Sequence, residues 1–76
     1  MTVKIYSTDT CFFCKKAKEF LKQNKIKFQE VNVMEDEAAA REMINKSGQS
    51  GVPVLDIDGT IIIGFDVPKI KKALKL

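Results

Sequence analysis

The sequence has no histidine, only two cysteines, a single tyrosine and one arginine among its thirteen basic residues. Without histidine, and with two thiols, one chain cannot complete the four-ligand shell of a structural zinc site; a metal would need two chains or an external thiol. The single tyrosine and the absence of an aromatic signature for base stacking argue against an RNA-binding module. Lysine, not arginine, supplies the basic charge, in spacing that suits helix faces better than a phosphate clamp, so the net +3 reads as a solvated surface and nucleic acid is not expected as a partner. Long apolar runs are missing too. The runs are short, as at Ile61-Ile62-Ile63, so no segment approaches the length needed to cross a bilayer, and Met1-Thr2-Val3-Lys4 lacks the apolar core of a signal peptide. The expectation is a soluble cytoplasmic protein without a membrane partner.

What remains is a chain of 76 residues with 45% hydrophobic and 30% charged content. That length accommodates one domain, here taken as residues 1–76, and the composition lies far from the disordered range. No repeat, low-complexity segment or linker interrupts it.

The two cysteines, Cys11 and Cys14, sit three positions apart. Closing so short a loop stabilises by roughly 2 kcal/mol at best in the chain-entropy model, which makes a structural staple an unconvincing role. Redox chemistry is the leading reading. Two buried cysteines acting as small hydrophobes is the bland alternative.

Thr2 to Ser7 reads as a buried first strand, ending at the turn-forming Thr8-Asp9-Thr10. From Phe13 the apolar residues Phe13, Ala17, Phe20 and Leu21 fall on one helical stripe, with lysines facing away, and this helix runs to about Asn24. Phe13 is thereby expected in the core and Phe12 exposed. Lys27 to Val33 reads as a second strand, giving a right-handed parallel crossover. A second helix has Glu35, Asp36 and Glu37 on its first turn, Ala40, Met43 and Ile44 as its inner stripe, and Lys46 and Gly48 at its end. Val54–Ile57 and Thr60–Ile63 flank Asp58-Gly59, a two-residue hairpin signal. A last helix is capped by Asp66 and turns Val67, Ile70, Ala73 and Leu74 inward. The order is βαβαββα, an α/β chain with a four-stranded mixed sheet.

A Cys-x-x-Cys between the first strand and first helix carries a mechanism, because helix N-termini present unpaired N–H groups and partial positive charge that favour thiolate. Cys11, at the helix start and near Lys15 and Lys16, should have a pKa below the free value of about 8.5 and act as nucleophile. Cys14, one turn further in, is placed to attack a mixed disulfide on Cys11 and leave an intramolecular disulfide. Val52-Pro53 opens the third strand, where proline is tolerated as an ordinary strand-initiating residue.

Taken together, Ile5-Tyr6-Ser7-Thr8-Asp9-Thr10-Cys11-Phe12-Phe13-Cys14, Ser50-Gly51-Val52-Pro53, Asp58-Gly59 and Gly64-Phe65-Asp66 resemble the glutaredoxins in order and spacing, over essentially the whole chain. The resemblance implies a thioredoxin fold with helices on both faces and the last two strands antiparallel to the first two. It also implies a cis Val52-Pro53 bond lying against Cys11, with the Val52 backbone pairing with substrate. A substrate groove of Phe12, Val52, Pro53, Gly64, Phe65 and Asp66 follows, although Gly64 can simply ease a turn, Phe65 can be core and Asp66 only a helix cap.

Three departures bear on substrate. Phe12-Phe13 replaces the usual Pro-Tyr. Thr8 and Gln49 stand where glutaredoxins often carry Lys and Arg facing glutathione's carboxylates, and Val67 stands where a second Asp is frequent after Asp66. Gly64-Phe65 also resembles the glutathione-independent NrdH-type redoxins, which take electrons from thioredoxin reductase and pass them to ribonucleotide reductase. The resemblance therefore implies a monomeric redoxin acting on protein disulfides, with no bound cofactor. Its reductant is a thioredoxin-reductase-type flavoenzyme, or glutathione as a weak co-substrate. Two rivals are glutathione-linked activity and, in a different class, an iron-sulfur cluster shared between two chains through Cys11 and added thiols. A redox-inert binding module is a third.

Overall fold

The computed structural model describes residues 1–76. Seven elements follow in order: β1 (Val3–Ser7), α1 (Phe12–Gln23), β2 (Gln29–Asn32), α2 (Glu37–Ser47), β3 (Val54–Ile57), β4 (Thr60–Ile63) and α3 (Val67–Leu74). They form one sheet of order β2-β1-β3-β4, with β1 parallel to β2 and β3 antiparallel to both β1 and β4. This corrects one expectation. Only β3 runs against the first two strands; β4 reverses again at the tight turn of Asp58 and Gly59, whose φ values are 49° and 91°, and so runs parallel to β1. A two-residue hairpin leaves no other direction.

The pleat sends alternate residues to opposite faces and thereby sorts two cores. Val3, Ile5, Leu55, Ile57 and Ile62 meet Ala17 and Leu21 of α1 and Ile70 and Leu74 of α3 on one face. On the other face Tyr6 and Val54 meet Met43 of α2. No helix is long and apolar enough to cross a membrane.

Two helical stripes differ from the periodicity reading. In α1 the buried residues are Cys14, Ala17 and Leu21, while Phe13 is 58% exposed. With Cys14 counted as core the stripe turns by one residue, about 100°, and Phe13 leaves it. In α2 the buried residues are Ala39 and Met43; Ile44 is 42% exposed, and Glu35 precedes the helix, which Asp36 caps through a bond from the Ala39 N–H. Apolar periodicity fails there because polar residues occupy the inward side. Tyr6, wholly buried, donates its hydroxyl proton to Glu42 and accepts from Lys46 Nζ at 3.1 Å. Lys46 also pairs with Asp56 at 2.7 Å, and Lys4 with Glu42 at 2.9 Å. The network ties α2 to β1 and β3.

The Tyr6 hydroxyl, then Lys4 and Lys46, hold the Glu42 carboxyl at about 2 against an ordinary 4.5. A depressed folded-state pKa contributes stability that is present above the unfolded value and lost as pH falls through the folded one. Stability should accordingly fall as pH drops from about 4.5 to about 2, with Asp56, lowered chiefly by Lys46, and Glu30, lowered chiefly by Lys18, acting in the same sense. In denaturant titrations across that window, Glu42→Gln should flatten the decline; an unchanged slope would remove Glu42 from the account.

Candidate active site

β1 ends at Ser7, and Thr8 to Thr10 turn the chain toward α1. Asn32, at the end of β2, donates from its side-chain amide to Asp9 at 2.9 Å and anchors this turn. Cys11 follows as the N-cap of α1, in extended conformation (φ −87°, ψ 115°). Its Sγ accepts the backbone N–H of Cys14 at 3.1 Å, and its carbonyl accepts that of Lys15 at 3.2 Å. A cysteine thus occupies the place where serine or aspartate commonly caps a helix, and its sulfur takes up one of the free N–H groups there.

Cys11 and Cys14 are joined as a disulfide, with Cα atoms 5.2 Å apart. They are not equivalent. Cys14 is wholly buried, whereas Cys11 is partly open to solvent beside a groove lined by Thr8, Asp9, Thr10, Phe12, Lys15 and Lys18. Across from it the carbonyl oxygen of Val52 lies 3.9 Å from Cys11 Sγ. The Val52-Pro53 bond is cis, as the family resemblance implied and the bare sequence did not.

The Gly64 N–H donates to the Pro53 carbonyl at 2.8 Å, with Gly64 at φ +82°. That left-handed backbone is open to glycine at no steric cost, and it brings the end of β4 to the start of β3. The fold therefore brings Val52-Pro53 to Cys11 and Gly64 to Pro53, joining three segments of chain. Phe12, 63% exposed, stands at the groove wall, its ring 5.3 Å from that of Phe13 and 5.4 Å from Lys16 Nζ.

Phe65 and Asp66 are engaged in building the fold. The Phe65 ring packs edge-on against Phe20 at 6.1 Å, beside the α1/α3 core. Asp66 caps α3 by accepting from the Lys69 N–H at 3.3 Å. Phe65→Ala should consequently lower stability by about 1–3 kcal/mol, less than a fully buried phenylalanine would cost. Comparing denaturation midpoints with rates on a small disulfide checks this; lost activity at unchanged stability would return Phe65 to the groove.

Sequence reasoning missed Asp9, Thr10 and Lys18 as groove residues. Asp9 and Thr10 adjoin Cys11 in the turn already recognised, a signal that could have found them; Lys18 joins only through the curl of α1, where it pairs with Glu30 at 2.6 Å. Gln49 is also occupied locally, accepting from the Gly51 N–H at 2.7 Å and donating to the Gly51 carbonyl at 3.0 Å.

The glutaredoxin family model matches residues 3–62, a span that includes both cysteines, the cis-proline and the Asp58-Gly59 turn. The chain is a member of the glutaredoxin family. Among its relatives is a glutaredoxin-like 8.6 kDa protein encoded in a rubredoxin operon of Clostridium pasteurianum, 52% identical over 73 residues and covering 96% of this chain and 97% of that one. Glutaredoxin 3 of Escherichia coli is 39% identical over 64 residues, 84% of this chain and 77% of the relative. In structure, a threonine-to-alanine variant of the thioredoxin-like protein BC3987 superposes with a TM-score of 0.92 at 30% identity, covering 97% and 95% of the two chains. This glutaredoxin-family redoxin accordingly has the α/β thioredoxin fold, with its Cys11/Cys14 pair at the start of α1.

Proposed function

We propose that this redoxin is a thiol-disulfide oxidoreductase acting on protein disulfides or mixed disulfides, with Cys11 as nucleophile and Cys14 as resolving thiol. The observation that carries the reading is the inequality of the two sulfurs. Cys11 Sγ is partly exposed at a helix N-cap and accepts the Cys14 N–H, while Cys14 is shut in the core. In the reduced protein that N–H and the helix terminus favour the Cys11 thiolate.

The thiolate attacks one sulfur of the substrate disulfide, forming a Cys11 mixed disulfide and expelling the other sulfur as thiolate, which takes up a proton. Cys14, giving up its proton, then attacks Cys11 Sγ. That step forms the Cys11–Cys14 disulfide and releases the second substrate sulfur as thiolate. Two electrons leave the dithiol and reduce one disulfide. The Val52 carbonyl, beside Cys11 Sγ, offers the substrate backbone an acceptor, and Phe12 borders the groove, while Gly64 is tied to the Pro53 carbonyl.

The reductant that regenerates the dithiol is a thioredoxin-reductase-type flavoenzyme, with glutathione a weaker donor. Thr8 and Gln49 support this order, since neither offers the cation that glutathione's carboxylates would meet in other glutaredoxins. Reduction of the oxidised protein by thioredoxin reductase with NADPH, and separately by glutathione, tests the proposal. Fast reduction by the flavoenzyme is expected; failure of both donors overturns it. A coloured protein purified without oxygen would favour a cluster carrier instead.

A further inference from the structure

The net charge of +3 conceals how the fold distributes its ions. Five ion pairs form, engaging Lys4, Lys18, Lys46 and Lys69 among the bases. Lys15, Lys16, Lys22, Lys25, Lys27, Lys71, Lys72 and Lys75 form none and are all exposed. Every one of them lies on α1, the connection from α1 to β2, or α3 with its C-cap, that is, on the layer that covers one face of the sheet. Opposing acids there are few: Asp9 just ahead of α1, bonded to the Asn32 amide, Glu19 on α1, and Asp66, which caps α3. On the other face α2 balances Glu37 and Glu42 against Arg41 and Lys46, with Glu35 and Asp36 just ahead of it.

A charge run alone is ordinary solvated surface. Here a second observation adjoins it. Phe12 and Phe13 are the exposed phenylalanines of the chain, and they stand at the end of this layer where Cys11 opens. An aromatic pair rimmed by uncompensated lysines has the make-up of an interface anchor and its charged border. Lysine fields of this kind steer an oppositely charged partner and raise its association rate by about 10 to 10³ at low salt.

We infer that the protein surface presenting its disulfide to Cys11 is acidic, drawn in by the α1/α3 layer and seated on Phe12 and Phe13. The inference rests on the redox reading above and adds to it the charge of the partner.

The probes are two disulfide-cyclised peptides, alike except that glutamates flank the disulfide in one and lysines in the other, together with the neutral bis(2-hydroxyethyl) disulfide. At about 0.01 M ionic strength, where charges act over roughly 30 Å, kcat/KM for the acidic peptide should exceed that for the basic one by about tenfold or more. At about 1 M the ratio should approach one, because screening shortens the range to roughly 3 Å. Combining Lys22→Glu, Lys71→Glu and Lys72→Glu, none of which lines the groove beside Cys11, should remove most of the preference and leave the rate on the neutral disulfide unchanged.

Equal rates on the two peptides at low salt, with the neutral disulfide turned over normally, would overturn the inference and spare the redox reading. So would an acidic preference that survives both high salt and the triple variant. If a single-stranded oligonucleotide at about 0.15 M salt bound the layer and blocked the acidic peptide alone, the layer would be a nucleic-acid surface and the inference would fall. No turnover of any of the three probes would instead overturn the redox reading, and the inference with it.

Discussion

Cys11→Ser should reduce disulfide turnover to the uncatalysed level while leaving the protein folded. Serine is among the best N-cap residues, so its hydroxyl can take over the Cys14 N–H that Cys11 Sγ now accepts, and α1 keeps its start. The loss would then be chemical, because an alcohol at neutral pH supplies almost no anion where a thiol at a helix terminus supplies a thiolate. Cys14→Ser should behave differently. Cys11 would still attack, but with no second sulfur the mixed disulfide would persist and be trapped as a covalent adduct with the substrate protein.

Since Cys14 is wholly buried, its serine hydroxyl would need a partner, and Cys14→Ala is the better-packed control. Mass spectrometry of the reaction mixtures distinguishes the two cysteines. Equal trapping by Cys11→Ser and Cys14→Ser, or full turnover by either, would show that the burial difference does not assign the roles.

Giving the groove glutathione's missing cations should raise glutathione-dependent turnover by one to several powers of ten, since hydrogen bonds to charged groups contribute roughly 1.5–3 kcal/mol each and the tripeptide carries two carboxylates. Thr8 lines the groove beside Cys11, so Thr8→Lys places an ammonium where it can meet one of them. Gln49→Arg is less simple. Gln49 accepts the Gly51 N–H through its side-chain oxygen, and arginine has no acceptor to replace it, so the segment before Val52 would lose that tie. Thr8→Lys alone should therefore show a clear gain, and the double variant a larger one offset in part by loosening of residues 49–51. Steady-state kinetics with glutathione as the only donor measures both. Unchanged rates, or a wild type already as fast with glutathione as other glutaredoxins, would show that these two positions do not decide the donor.

The hairpin at Asp58-Gly59, the strands on either side of it, the Asp66 cap and the Gly48 C-cap were all legible in the sequence, because each depends on backbone preferences of a few adjacent residues. So was Cys11 at the start of α1, since strand, turn and helix follow one another within a dozen positions. The inner faces of the helices were less legible. Apolarity alone puts Phe13 in the core, yet the buried residues of α1 are Cys14, Ala17 and Leu21; it turns Ile44 inward, yet Tyr6 and Asp56 on the strands draw Glu42 and Lys46 to that side.

The sequence by itself determined the element order, the turns, the caps and the placing of a dithiol at a helix N-terminus, all consequences of interactions between near neighbours along the chain. Only the tertiary structure decided that Val52 comes to Cys11 and Gly64 to Pro53, that Phe65 turns to Phe20 and that the unpaired lysines gather on one layer. Those outcomes depend on strand order and on which face of the sheet each helix covers, and they arise from packing between residues distant in sequence, which local propensity does not encode.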